Sequence, residues 1–171
     1  MIVEVVPIES LTEDPRNARK HPANNLATIK ASLLQFGQVE PLVVQKSTGR
    51  VIGGNGRLQV MRDLGWKTVK VTRWDLDDRR AVALGVGLNR SSEQATWNQP
   101  QLADLLQEVA ESADGLLEST GFDADDIAKL CSAAEKTAAE ASQGVDETVR
   151  TVSFQAREGA THKCPECGFE F

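Results

Sequence analysis

The segment Val51-Ile52-Gly53-Gly54-Asn55-Gly56-Arg57-Leu58 passes from a β-branched pair through three glycines into a helix-forming run. Glycines at such a strand-to-helix junction let the backbone reach positive φ and let another group approach closely. The start of the following helix presents free N–H groups and the positive end of the dipole, which together favour an anion. Arg57 adds a fork of donors suited to phosphate oxygens. A P-loop requires Lys-Ser/Thr after the last glycine, where Arg57-Leu58 stands, and the dinucleotide fingerprint requires a small residue where Gln59 stands. The same eight residues also suit a plain tight turn with a surface arginine, and the glycines alone do not separate the two readings.

Working outward, Val3–Ile8 reads as a strand and 12–22, rich in Asp, Pro, Asn and Arg, as a loop. Leu26, Ile29, Leu33 and Phe36 recur at helical spacing, with Asn24 or Asn25 as cap and Gly37 as stop. Leu42–Gln45 reads as a strand, Ser47–Arg50 as a turn, and Arg57–Leu64 as a short helix closed by Gly65. Val69–Val71 is a further strand between Trp66 and Trp74. Asp75–Asp78 opens a helix with Ala81, Leu84 and Leu88 on one face. Beyond Asn98 the pattern is helical, with a Leu102, Leu105, Leu106, Val109 stripe and a second helix from Asp123 to Leu130. The expected organisation is therefore an α/β (α+β) domain over 1–98 with a small mixed sheet, an acidic helical extension over 99–131, and a linker or frayed helix over 132–147. A last segment, 148–171, holds a short strand (Val149–Phe154) and a cysteine knuckle.

The chain has 171 residues, 40% of them apolar and 5% aromatic, enough for one core. It holds no apolar run of the ~18 residues a membrane span requires. Its first residues lack a basic and then apolar leader, so a cytoplasmic setting is expected. Three cysteines do not form a disulfide scaffold. Collagen, coiled coil, secreted mini-protein and transporter are thereby ruled out. The formal charge of −6 is unevenly spread. Residues 1–98 carry 14 Lys and Arg against 10 Asp and Glu, a net of +4; residues 99–171 carry 5 against 15, a net of −10. The first part suits a phosphate backbone, and the second repels one.

Three stretches taken in order carry a family resemblance: Asn17-Ala18-Arg19-x-His21, then Phe36-Gly37-Gln38-x-x-Pro41-Leu42-Val43-Val44, then Val51 to Arg57. With Leu64-Gly65 and Leu88-Asn89-Arg90-Ser91, they resemble the ParB-like N-terminal domain of the ParB/sulfiredoxin superfamily. The resemblance covers about residues 1–98, with a looser likeness to the short members found in phages and mobile elements. It implies a compact α/β fold. It also implies a nucleotide, CTP or ATP with Mg²⁺, whose phosphates meet Gly53, Gly54, Asn55, Gly56 and Arg57. Asn17 and Arg19 would then lie opposite, and Asn89 and Arg90 would complete the pocket. Departures accompany it. Sulfiredoxins have a catalytic cysteine where Asn55 stands and a histidine where Gly56 stands, so peroxiredoxin repair is excluded. Partition proteins usually have Glu-Arg at Asn55-Gly56, and the free-serine kinases of the superfamily have an acid near Gly53.

Glu40 is the weak candidate for general acid–base work, beside Asp14 and His21 in the upstream loop. A nuclease would need converging acids around Mg²⁺, and Glu9, Glu13 and Asp14 are near one another only in sequence. A binding module is thus favoured over a nucleotide hydrolase, phosphoryl-transfer enzyme or nuclease. DNA-backbone contact is assigned to Arg16, Lys20, Lys30 and Arg62, with Arg19 and Arg57 able to join them. The later helices carry Asp104, Glu108, Glu111, Asp114, Glu118, Asp123, Asp125 and Asp126 against Lys129 alone, a poor match to a DNA groove. Their expected role is packing, or binding a partner such as a DNA methyltransferase or terminase. Cys164 and Cys167, with His162, offer two or three of the four ligands zinc needs. A homodimer sharing two knuckles would complete the set.

Overall fold

The computed structural model describes residues 2–112 and 115–143, with side chains of the last helix to residue 136. Met1–Lys136 forms a compact unit distinct from Thr137–Phe171. The predicted strand at 149–154 and the knuckle residues His162, Cys164 and Cys167 lie outside the described residues.

Five strands form one mixed sheet: β1 (Val3–Pro7), β2 (Thr12–Glu13), β3 (Leu42–Gln45), β4 (Arg50–Gly53) and β5 (Thr68–Trp74). Their order is β1-β5-β3-β4-β2. β5 pairs antiparallel with β1 and parallel with β3, β3 and β4 form an antiparallel hairpin, and β2 runs parallel to β4. β2 is a two-residue strand inside the stretch expected to be loop.

The helices are α1 (Ala23–Phe36), α2 (Asn55–Asp63), α3 (Asp78–Gln94), α4 (Gln99–Ala110), α5 (Leu116–Thr120) and α6 (Ala124–Gln143). α1 starts earlier than its asparagines suggest. Pro22, with φ −67° and ψ 164°, is the cap residue, and Asn24 accepts from the Asn25 N–H instead. Proline presets its own φ and suits an entry into a helix. α6 continues well past Leu130, through the Ala/Glu/Ser segment expected to fray. Alanine and glutamate are good helix formers, and that propensity prevails over the shortage of bulky residues.

One face of the sheet carries the core. Leu33 of α1 and Leu58 and Met61 of α2 cover Leu42, Val44, Val51, Val69 and Val71, with Ile8 and Leu11 closing the edge. Burying a large aliphatic side chain is worth about 1.5–3 kcal/mol, so this cluster is what holds α2 and its glycine turn in place. α3 packs against β4. A Cβ on Gly53 would lie 3.0 Å from Leu88 Cδ1, and one on Gly85 would lie 3.2 Å from the Ile52 carbonyl oxygen. α5 and the turn after it rest on α1, where a Cβ on Gly121 would meet Thr28 at 2.9 Å.

Polar side chains fix the joints between elements. Gln38 is buried, accepts from Lys70 N (2.6 Å) and donates to Lys70 O (2.7 Å) and Glu40 O (3.2 Å). It thereby supplies ladder bonds to β5 and holds the loop from Gly37 to Pro41. Gln45, also buried, accepts from Thr48 Oγ1 (2.8 Å) and donates to Leu76 O (2.9 Å) and Asp78 Oδ1 (3.1 Å). Arg50 donates to Asp78 Oδ1 as well (3.2 Å). The Gln45 hydrogen bond, and then the Arg50 charge, lower the Asp78 pKa from its ordinary value. These contacts anchor the start of α3, which Asp77 caps by accepting from Arg80 N (2.8 Å).

Candidate functional site

Gly54 sits at φ +92°, ψ 26°, in the left-handed region, and is the cap of α2. The first helical bond runs from Leu58 N to Gly54 O (2.9 Å). The N–H groups of Asn55, Gly56 and Arg57 therefore precede the helical ladder and have no partner within it. A Cβ on Gly54 would lie 2.7 Å from Leu42 Cδ2 and 3.1 Å from Arg57 Nη2. Gly54 is thus required by backbone angle and by space together.

Arg57 lies across the turn. Its Nη1 donates to the Glu40 carbonyl (3.1 Å) and pairs with Glu40 Oε2 (2.9 Å), leaving the side chain 26% exposed. Gly56 has an ordinary φ, and its requirement is space alone. A Cβ there would lie 2.8–2.9 Å from three ring atoms of His21. The His21 ring is held over the turn by Nδ1···Asn25 Oδ1 (2.7 Å).

Asn55 has a structural task. Its Nδ2 donates to Val51 O (3.1 Å), and its Oδ1 accepts from Asp14 N (3.3 Å). The side chain thus ties the upstream loop to the glycine turn, and its backbone N–H is what remains for a ligand. Asn17 shapes that loop from within: its Oδ1 accepts from Arg19 N (3.1 Å), and its Nδ2 donates to Arg19 O (3.3 Å). Asp14 is flanked by Arg16 and Arg50, each at 3.7 Å.

Two adjoining cavities result. The first, about 240 Å³, opens on the turn and is lined by His21, Gly54, Gly56 and Arg57. The second, about 220 Å³, has an apolar floor of Ala81, Val82 and Val86 from α3 and a polar rim of Asp14, Arg16, Arg90 and Glu93. Asn17, Arg19, Ile52, Asn55 and Asn89 line both, so the two are parts of one groove. Asn89 Nδ2 donates to Gly85 O (2.9 Å), which directs its Oδ1 away from the helix backbone. Arg19 forms a hydrogen-bonded ion pair with Glu93, and Arg90 pairs with the same carboxylate (3.3 Å).

The residues assigned to DNA divide differently. Lys20 and Lys30 are exposed and make no ion pair among the described residues. Arg16 is exposed at the rim of the second cavity. Arg62 points elsewhere, donating to Leu11 O (2.7 Å) and Glu13 Oε1 (2.7 Å). Of the acids named for catalysis, Glu40 pairs with Arg57, Glu13 with Arg62, and Asp14 with Arg16 and Arg50, while Glu9 makes no ion pair among the described residues. Among the described residues, no group of three His, Cys, Asp or Glu gathers as metal ligands. No described helix is long and apolar enough to cross a membrane. Sequence reasoning missed Glu93, the structural bonds of Gln38, and Val82 and Val86, which join Ala81 in the groove floor although the spacing marks only Ala81, Leu84 and Leu88 as the apolar face of α3. The Phe36-Gly37-Gln38 motif was the available signal for Gln38, whose bonds to β5 explain why glutamine stands there.

The ParB N-terminal domain family matches residues 1–90. The chain belongs to that family. The matched segment contains every residue lining the groove except Glu93. No curated protein matches the chain. Among solved structures, the C-terminally truncated chromosome-partitioning protein ParB from Caulobacter crescentus, crystallised with CTP-gamma-S, shares the fold. It has a TM-score of 0.63 at 21% identity, over 76% of this chain and 77% of that one. A Pnob8-like ParB-N domain aligns with a TM-score of 0.46 at 29% identity, over 81% of this chain and 51% of its own. Sulfiredoxin from Arabidopsis thaliana aligns with a TM-score of 0.42 at 17% identity, over 50% of this chain and 98% of its own. The ParB-type fold accommodates the asparagine and glycine at positions 55 and 56, the first as a loop tie and the second as a seat for His21.

Proposed function

We propose that this chain is a ParB-type nucleotide-binding module, accessory to the DNA metabolism of a phage or mobile element. The observation that carries the reading is the shared groove. One end offers the open N–H groups of α2 and Arg57; the other offers an apolar floor and a polar rim. A nucleoside triphosphate has the same two-part chemistry, with phosphates for the first end and a base and sugar for the second. The Caulobacter relative was crystallised with a CTP analogue, which supports the assignment. Mg²⁺ would travel with the phosphates, and Asn89, which lines both parts of the groove, would be the residue to offer it an amide oxygen.

Binding is favoured over turnover because Glu13 and Asp14, the acids of the upstream loop, are each held by arginine. DNA-backbone contact is the second reading. It rests on exposed Lys20 and Lys30 beside the groove's loop and helix, and it predicts strongly salt-dependent binding with little choice of sequence.

The test is a thermal-shift and calorimetric screen of the chain with CTP, ATP and GTP, each with Mg²⁺. A nucleotide at 100 times its Kd adds about 2.7 kcal/mol of stability. Arg57→Ala is expected to abolish that gain while the protein stays folded. An unchanged gain in the variant refutes the placement of the phosphates.

A further inference from the structure

The two arginines at the phosphate end of the groove are not bare. Arg57 is paired with Glu40 from the loop before β3, and Arg19 with Glu93 from the last turn of α3. Each acid comes from a different element than its arginine, 17 and 74 residues away along the chain. In each pair the acid is at least as exposed as the base: Glu40 75% against Arg57 26%, and Glu93 42% against Arg19 41%. An exposed carboxylate regains water when it leaves, so its departure costs little. A phosphate brings more charge and three acceptor oxygens to the same guanidinium.

We infer that Glu40 and Glu93 are built-in competitors for the phosphate site, carboxylates that hold Arg57 and Arg19 until a polyphosphate displaces them. This rests on the nucleotide reading above and adds to it a device that sets affinity. The pairing keeps the arginines positioned over the groove without a ligand, and it discriminates against weak anions. A singly charged anion offers the arginines no more than the carboxylate already does. Arg57 and Arg19 line the same cavity, so a di- or triphosphate held there can offer oxygens to both and overcome both pairs. Glu93 carries the larger share, because it also neutralises Arg90.

Calorimetric titration of the full chain with Mg-CTP and, separately, with inorganic tripolyphosphate tests this at 150 mM salt. The proteins are wild type, Glu40→Gln, Glu93→Gln, the double variant and Glu118→Gln. Glu118 lies on α5 and lines neither cavity, so it reports the effect of net charge alone. Charges beyond the Debye length of about 8 Å are largely screened. Each groove variant is expected to tighten tripolyphosphate about two- to fivefold, as loss of an exposed ion pair allows, and the double variant more than either. Glu118→Gln is expected to match wild type. Binding by the double variant where wild type is silent also supports the inference. If wild type binds and the groove variants bind no tighter, the competitor role is overturned and the nucleotide reading stands. If none of the proteins binds either ligand, both are overturned.

Discussion

Replacing Gly54 by alanine separates two physical costs that the turn imposes together. Gly54 has φ +92°, and Gly65 has φ +73°. Both substitutions strain the backbone, by about 1–2 kcal/mol for an L-residue in the left-handed region. They differ in space. A Cβ at Gly65 meets nothing within 4 Å, whereas a Cβ at Gly54 would sit 2.7 Å from Leu42 Cδ2. Carbon atoms pack at about 3.5–4.0 Å. Leu42 is fully buried between Val44, Val51, Leu58 and their neighbours, so it cannot retreat to water. Overpacking of that kind costs about 1–3 kcal/mol. Gly65→Ala is therefore expected to lose about 1–2 kcal/mol, and Gly54→Ala about 2–5 kcal/mol. Urea unfolding of both variants beside wild type measures the difference directly, with unchanged m-values as the check that only stability moved. Equal losses for the two variants would refute the claim that Leu42 presses on the turn. A loss under about 0.5 kcal/mol at Gly54, the range of an ordinary surface change, would refute the turn geometry itself.

Two further outcomes follow from the polar contacts. Asn55→Ala removes the bonds to Val51 O and Asp14 N and is expected to cost about 1–2 kcal/mol. In hydrogen exchange, faster exchange should centre on residues 14–19, and uniform change across the sheet would count against the tie. The folded-state pKa of Asp78 is depressed, so its contribution is present above the ordinary aspartate value of 3.8 and is lost as pH falls through the lower folded value. Acid unfolding should accordingly be less steep in Asp78→Asn than in wild type below about pH 4, with parallel curves the contrary result.

The legible parts of this protein are those encoded by neighbours in sequence. Three glycines and an arginine after Val51-Ile52 describe a turn with no reference to the rest of the chain, and the turn is where they place it. The spacing of Leu26, Ile29 and Leu33 marks α1, and Leu33 is buried as that face requires. Local reasoning fails at element ends and on partly covered faces. Phe36 continues the apolar period, yet it is exposed as the last residue of α1, while Leu33 one turn earlier is buried. Leu105 falls in the α4 stripe, yet α4 buries Leu102, Ala103 and Leu106 and leaves Leu105 outside, because the neighbouring helix covers only part of the stripe.

The backbone shape of the turn was determined by sequence alone, since backbone angles and helix-end N–H groups depend on residues within a few positions of one another. The second half of the groove was decided by tertiary structure. Packing of Leu88 on Gly53 and Gly85 on Ile52 brings Val82, Val86 and Glu93 against a loop more than sixty residues upstream. The partners of Arg57 and Arg19 were decided in the same way. Charges pair by distance in space, and only the closed fold makes Glu40 and Glu93 the nearest carboxylates.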